Sequence, residues 1–284
     1  MNNDIDPWDC AINDENFYIN NKIARIFPLL KNSTCYNKLK IDDESFSYIT
    51  IREIADLITK VICHHLMKFN INPQKVNIVD YTAGVGGNVL SFVKYFNHVT
   101  AIESCALRAS YLKNNVEIYG FKNITIINDT SINYHNNELI MSDTNVVFVD
   151  PPWGGSSYKD CDELLQLKLD NISMENLFID IVKKYSEYYF HKEKFINILQ
   201  QITSKHNIIQ PTKVNKLYNK YDIKYNKVVV FKLPKNYDIE NFYSFIKAHS
   251  SYYTNYIIRS YVYILNKMII VVCDMCYMPS LINN

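Results

Sequence analysis

Val79-Asp80-Tyr81-Thr82-Ala83-Gly84-Val85-Gly86-Gly87-Asn88 decides how this chain is read. It predicts a strand, Ile78 to Tyr81, that runs into a glycine-rich turn and then a helix, Asn88 to Phe96. Gly84, Gly86 and Gly87 let the backbone pass close to a ligand with no Cβ in the way, and the helix N-terminus behind them favours negative groups. The result is a nucleotide-type cradle. Its spacing is not the GxGxxG of a dinucleotide fold, and it lacks the lysine of a P-loop.

Working outward, the same alternation repeats. Val99 to Ile102 reads as a strand ending at Glu103, and Cys105 to Tyr119 as a helix closed by Gly120. Ile124 to Ile127 is a strand ending at Asn128-Asp129, and Val146 to Val149 a strand ending at Asp150. Strands alternating with helices predict a mostly parallel, doubly wound sheet, in which the ligand sits at the carboxyl ends of the strands. Those ends carry Asp80, Glu103, Asp129 and Asp150. Glu103 is placed to accept hydrogen bonds from two ribose hydroxyls, Asp129 from an adenine amine, and Asp80 to face an ammonium; any one of them alone also fits a solvated loop residue or a helix cap. Farther on, Val228 to Leu233 is a strand stopped by Pro234-Lys235-Asn236, and Asp238 caps a helix to about His249. Tyr256 to Leu265 and Met268 to Val272 form an antiparallel hairpin about Asn266-Lys267.

The second signal is Asp150-Pro151-Pro152-Trp153-Gly154-Gly155. Two prolines stiffen the backbone and remove two donors, so carbonyl oxygens are left to accept. An exocyclic amine is a poor nucleophile because its lone pair is delocalised into the ring. Acceptors on both its hydrogens, here the Asp150 side chain and the Pro151 carbonyl, favour a geometry that aims the lone pair at a methyl donor. Such a transfer needs alignment more than a strong base. Trp153 offers a flat face for a base, with cation–π attraction of about 0.5 to 2 kcal/mol if that base is cationic; the plainer reading is a core or lid aromatic. With the cradle, this loop predicts a methyltransferase that uses S-adenosylmethionine, releases S-adenosylhomocysteine and acts on an exocyclic nitrogen of a base.

Residues 1 to 70 read as a small helical extension: a loose polar arm to 16, a short helix from Phe17 to Leu30, a turn at Asn32-Ser33-Thr34, and a cap-rich loop from Ile41 to Thr50. Thr50 with Glu53 fits a capping box for a helix to about Lys68. Residues 71 to 284 make the methyltransferase domain, with an insertion around 160–225 that holds two helices, Met174 to Tyr189 and Lys192 to Ser204. Lysines 213, 216, 220, 224, 227, 232 and 235, interleaved with Tyr218, Tyr221 and Tyr225, fit a phosphate or RNA contact, but such a run is more often a solvated face.

A net charge of +1 gives no whole-molecule field toward a polyanion, so any nucleic-acid contact uses a local patch. The seven cysteines are odd in number and fit a reducing, intracellular compartment. Cys273 and Cys276 form a lone CxxC without the second pair zinc needs, so no metal is expected. No signal peptide is visible, and no apolar run reaches the ~18 residues of a membrane span.

Several blocks in order resemble trimethylguanosine synthase, the family that methylates N2 of the 7-methylguanosine RNA cap. They are Asp80 to Asn88, Lys113-Asn114-Asn115-Val116-Glu117-Ile118-Tyr119-Gly120, Val147 to Tyr158, the lead-in from Ile41-Asp42 to Thr50, and Phe231 to Asn236 with Asp238 and Leu265-Asn266-Lys267. The resemblance implies an α/β, Rossmann-like class I S-adenosylmethionine-dependent methyltransferase acting in RNA processing on 7-methylguanosine-capped RNA to give a di- or trimethylguanosine cap. It implies a nuclear location, with the cytoplasm as the alternative, and a monomer. In residue terms it implies that Asp80, Thr82, Gly84, Gly86, Glu103 and Asp129 hold the cofactor, with Phe27 and Thr50 covering it. Trp153 would stack on the methylated guanine, with Asn115, Pro152 and Tyr158 nearby and Asp150, Pro151 and Trp153 at the chemistry. Asp150 departs from the serine of animal members toward the Asp-Pro-Pro-Tyr loop of other amino-methyltransferases. That departure keeps open a guanine-N2 or adenine-N6 enzyme acting inside RNA or DNA. A third reading is a non-catalytic cap-binding or scaffold subunit.

Overall fold

A computed structural model describes residues 22–135, 144–155, 158, 166–186, 227–249 and 256–277. Four parallel strands flank the glycine turn, β1 (Asn77–Asp80) before it and β2 (His98–Ile102), β3 (Ile124–Ile127) and β4 (Val146–Val149) after it. The two-residue β5 (Lys168–Leu169) and β6 (Ile172–Ser173) pair with each other. β7 (Lys227–Pro234), β8 (Tyr256–Leu265) and β9 (Met268–Tyr277) complete the main sheet, whose order is β3-β2-β1-β4-β7-β9-β8. β9 runs antiparallel between β7 and β8. The predicted parallel sheet with a closing hairpin is therefore observed, and it is the class I methyltransferase arrangement.

The helices are α1 (Lys22–Ile26), α2 (Asp43–Tyr48), α3 (Arg52–Lys68), α4 (Val89–Phe92), α5 (Ala106–Tyr119), α6 (Ser131–His135), α7 (174–186) and α8 (Ile239–Ala248). Residues alternate across the strands to build two cores. Val79, Val147, Val149, Val229 and Phe231 face one side, with Phe178 and Val182 of α7 and Phe242 of α8. Ile78, Val146, Phe148, Val228 and Val230 face the other, with Ile58 and Ile62 of α3, Leu112 of α5 and Phe27 of the extension. Burial on both faces explains why these strands are near-continuous apolar runs. Gly120 closes α5 in the left-handed region at φ +73°, and the Asp238 carboxylate caps α8 by accepting from Asn241 N–H.

Several expectations are corrected. Thr50 does not cap α3: the N-cap is Ile51, without a side-chain hydrogen bond, because the Thr50 hydroxyl is drawn inward. The cap-rich loop contains α2, started by Asp42 accepting from Ser45 N–H. The helix expected from Asn88 to Phe96 is regular only over α4 and continues as tighter turns. Within the insertion, Met174, Leu177, Phe178, Ile181, Val182 and Tyr185 of α7 belong to the core. Of the lysine run, Lys227 and Lys232 are buried, not solvated: Lys227 donates to the Thr144 carbonyl and lies over the Tyr185 ring. The arm to residue 16, the second insertion helix and the lysines from 213 to 224 lie outside the described residues. Among the described residues no helix is long and apolar enough to cross a membrane.

Candidate active site

Strand register assembles the site. Asp80 pairs with Phe148 across β1 and β4, and Val149 pairs with Phe231 across β4 and β7. Asp80, Asp150 and Lys232 therefore meet at the carboxyl ends of three adjacent strands. By the strand alternation, Lys232 follows Val228 and Val230 toward the face that carries the extension.

The cradle follows β1. Gly84 and Gly86 have φ of +53° and +110°, a region that L side chains rarely adopt. A Cβ on Gly86 would meet Leu112 at 2.9 Å; one on Gly87 would meet Ile49 Cγ1 and the Thr50 carbonyl oxygen, both at 2.8 Å. Gly87 is thus where the extension presses onto the cradle. A Cβ on Gly84 would meet nothing within 4 Å, which leaves room beside the turn. Glu103 fixes the loop: its two carboxylate oxygens accept from Gly84 N–H and Cys105 N–H, each at 2.9 Å.

Asp80 is fully buried. Its Oδ1 accepts from Thr82 N–H at 2.9 Å and the Thr82 hydroxyl at 3.2 Å. Its Oδ2, and Oδ1 of buried Asn88, have no hydrogen-bond donor among the described residues. Burial pushes the Asp80 carboxyl up to about 7; the Thr82 N–H lowers it, and the Asp150 and Glu103 carboxylates raise it further. Two buried acceptors without donors are a standing cost that a donating, cationic ligand would remove. S-adenosylmethionine fits this donor pattern: its ammonium suits Asp80 and Asn88, and its ribose diol suits the remaining lone pairs of Glu103. Asp129, half-buried, spends Oδ1 on Thr130 N–H at 2.7 Å and Asn133 Nδ2 at 2.8 Å.

Lys232 is the residue that the sequence reading missed. Only 5% of it is exposed, yet Nζ donates to Asp150 Oδ2 at 2.6 Å and to Thr50 Oγ1 at 2.8 Å, and lies 5.0 Å from the Trp153 ring centroid. The signal was a lysine interrupting the apolar strand Val-Val-Val-Phe-Lys-Leu. Burial raises the Asp150 carboxyl, while Lys232, the Thr50 hydroxyl and the Asn88 amide hold it down. Asp150 N–H donates to the Thr82 hydroxyl at 2.8 Å, so one threonine joins the Asp150 backbone to the Asp80 carboxylate. Asn88 Nδ2 donates to Thr50 Oγ1 at 3.2 Å.

The remaining residues separate into two groups. Pro151 is buried, Pro152 exposed and Trp153 half-buried, with its ring 5.1 Å from Tyr158 in a T-shaped contact. The Tyr158 carbonyl accepts from Asn236 Nδ2 at 2.9 Å. Phe27 is wholly enclosed in the core, so its ring offers a cofactor no exposed surface. Asn115, which the resemblance puts near the substrate, is instead fully buried beneath the cradle. Its amide donates to the carbonyls of Lys40 at 2.9 Å and Val85 at 3.0 Å, and its Oδ1 accepts from Lys40 N–H at 2.8 Å. Asn115 thus staples the extension to the glycine turn.

The chain resembles protein L320 of Acanthamoeba polyphaga mimivirus, with 32% identity over 244 residues, covering 79% of this chain and 78% of that one. It is 31% identical to the trimethylguanosine synthase of Schizosaccharomyces pombe over 121 residues, 42% of this chain and 47% of that enzyme, so that match spans less than half of the yeast protein. Among solved structures, a precorrin-6y C5,15-methyltransferase from Geobacter metallireducens aligns with a TM-score of 0.42 at 11% identity, over 86% of this chain and 95% of that one. The family model for RNA cap guanine-N2 methyltransferases matches residues 75–276. The chain is an S-adenosylmethionine-dependent methyltransferase and belongs to the RNA cap guanine-N2 methyltransferase family.

Proposed function

We propose that the protein methylates the exocyclic N2 of 7-methylguanosine in an RNA 5′ cap. The observation that carries this reading is Asp150, whose carboxylate shares the Lys232 ammonium with the Trp153 ring and whose backbone N–H is joined through Thr82 to the unsatisfied Asp80 pocket. S-adenosylmethionine supplies an electrophilic methyl group when bound. Asp150 and the Pro151 carbonyl accept the two amine hydrogens, orient the lone pair, and give the departing proton a place at the carboxylate. Trp153 stacks on the purine, and the extension, through Thr50, closes the pocket from above the cradle. The partner is then 7-methylguanosine-capped RNA, and the product a di- or trimethylguanosine cap.

The test is a mass spectrum of 7-methylguanosine triphosphate after incubation with the protein and S-adenosylmethionine, with guanosine triphosphate as control. One or two methyls added to the 7-methyl substrate alone supports the reading. No addition, with cofactor binding intact, sinks it. One observation favours a second reading, amino-methylation of a neutral base inside RNA or DNA. The Lys232 ammonium already lies over the Trp153 ring, and a cationic base gains less from a ring whose negative face serves another cation. Methyl transfer to uncapped RNA or DNA in the same experiment would select it.

A further inference from the structure

Beyond the acceptors already named, Lys232 is a buried cation that touches three separate parts of this site. Its ammonium meets the Asp150 carboxylate at 2.6 Å, the Thr50 hydroxyl of the extension at 2.8 Å, and the Trp153 ring at 5.0 Å. It stands on a central strand whose other described side chains are buried and apolar except Lys227. A buried ion pair of this kind is weak evidence for stability, because desolvation offsets the attraction. Its effect falls on geometry and on charge state.

We infer that Lys232 is a positioning residue: its ammonium keeps the Asp150 carboxylate ionised and aimed, and sets the Trp153 indole against it before a substrate arrives. This rests on the proposed role of Asp150 as acceptor of the amine hydrogens. Few of the described residues face Asp150. Lys232 approaches from β7 and the like-charged Asp80 from the end of β1, while Thr50 from the extension, Asn88 from the cradle and Thr82 are uncharged. Among the described residues, Lys232 is thus the one cation beside a carboxylate that burial drives toward its neutral form. A protonated Asp150 presents a donor where the amine needs an acceptor. The pairing also accounts for an aspartate where a serine would need no counterion.

The experiment uses a Trp8→Phe background, which leaves Trp153 as the sole tryptophan of the two in the chain. Trp153 emission is followed against pH without any substrate, in the parent, K232M, K232R and D150N. The expected result is an acid transition that moves to higher pH in K232M, returns in K232R, and disappears in D150N, which assigns it to Asp150 and not to Asp80. The second arm measures kcat/KM against pH on whichever base substrate the parent methylates. K232M should lose ~10-fold or more below neutrality, within the usual range for a proton-handling group, and recover part of it at pH 9. Binding of S-adenosylhomocysteine should stay unchanged.

A K232M emission curve that superimposes on the parent's, or a drop in rate equal at every pH, would overturn the inference and leave Lys232 a packing residue. Should K232M fail to fold, K232Q carries the test, because it removes the charge and keeps a donor for Asp150 and Thr50. A transition moved to higher pH in K232Q supports the inference, and one that superimposes on the parent's overturns it. A parent inactive on every base refutes the methylation reading, while the emission arm still decides the role of Lys232.

Discussion

Replacing Asp80 with asparagine should make the free protein more stable and nearly unable to hold its cofactor. Asp80 is fully buried, and its Oδ2 has no donor among the described residues. Raising a carboxyl from 3.8 to about 7 corresponds to about 4 kcal/mol, at ~1.4 kcal/mol per pH unit. The folded protein binds a proton that the unfolded chain has released between roughly pH 4 and pH 7. Stability therefore falls as pH rises through that window, and the full penalty applies above it. Asparagine keeps the Oδ1 that accepts from Thr82 N–H and removes the charge. At pH 8.5, Asp80→Asn should gain ~2 to 4 kcal/mol, raising Tm by ~5 to 10 °C, while near pH 4 the two proteins should melt alike. The cofactor ammonium loses a charge-assisted hydrogen bond worth ~1.5 to 3 kcal/mol, so affinity for S-adenosylhomocysteine should fall ~10- to 150-fold. Thermal melts at pH 4 and pH 8.5, with calorimetric titration of S-adenosylhomocysteine, read both effects. A variant that melts at or below the wild type at pH 8.5, or binds with unchanged affinity, refutes the reasoning.

Three other substitutions probe the surrounding parts. Gly87→Ala puts a Cβ 2.8 Å from both Ile49 Cγ1 and the Thr50 carbonyl; an overpacking cost of ~1 to 3 kcal/mol and weaker cofactor binding are expected, seen as a lower Tm and a smaller shift on adding S-adenosylhomocysteine. Asn115→Ala leaves the Lys40 and Val85 backbone groups without partners and should cost ~3 kcal/mol; earlier proteolytic cleavage of residues 22–50 would report detachment of the extension, and unchanged protection would refute the staple. Trp153→Ala should weaken 7-methylguanosine triphosphate by the ~1 to 3 kcal/mol of a stacked base and leave S-adenosylhomocysteine affinity alone; equal losses for both ligands would show that the indole only supports the fold.

Much of this was legible in the sequence because the cues were local. The glycine turn, Gly120 past α5, Asp238 before α8 and Asn266-Lys267 between β8 and β9 each impose backbone geometry within a few residues. The parallel strands ending in Asp80, Glu103, Asp129 and Asp150 followed from alternation alone. What escaped was set by partners far along the chain. Thr50 satisfies the local pattern of a capping box, but Lys232, 182 residues away, takes its hydroxyl. Lys232 was read within a lysine run, and composition does not reveal that β7 is covered on both faces. Asn115 sits in a motif whose resemblance implied substrate contact, whereas its amide is consumed by backbone groups of Lys40 and Val85.

The junction of Thr50, Asp150 and Lys232 also bears on the order of folding. Its three members come from the first, second and last thirds of the chain, so a nascent polypeptide cannot complete the pocket until β7 has paired with β4. Closing loops of that length is slow relative to local helix formation. Helical signal should return early in refolding, with the Lys232–Asp150 contact beneath Trp153, read by Trp153 emission, arriving last. A half-folded copy would then hold the glycine cradle without an aligned acceptor for the substrate amine, and so could not transfer a methyl group prematurely.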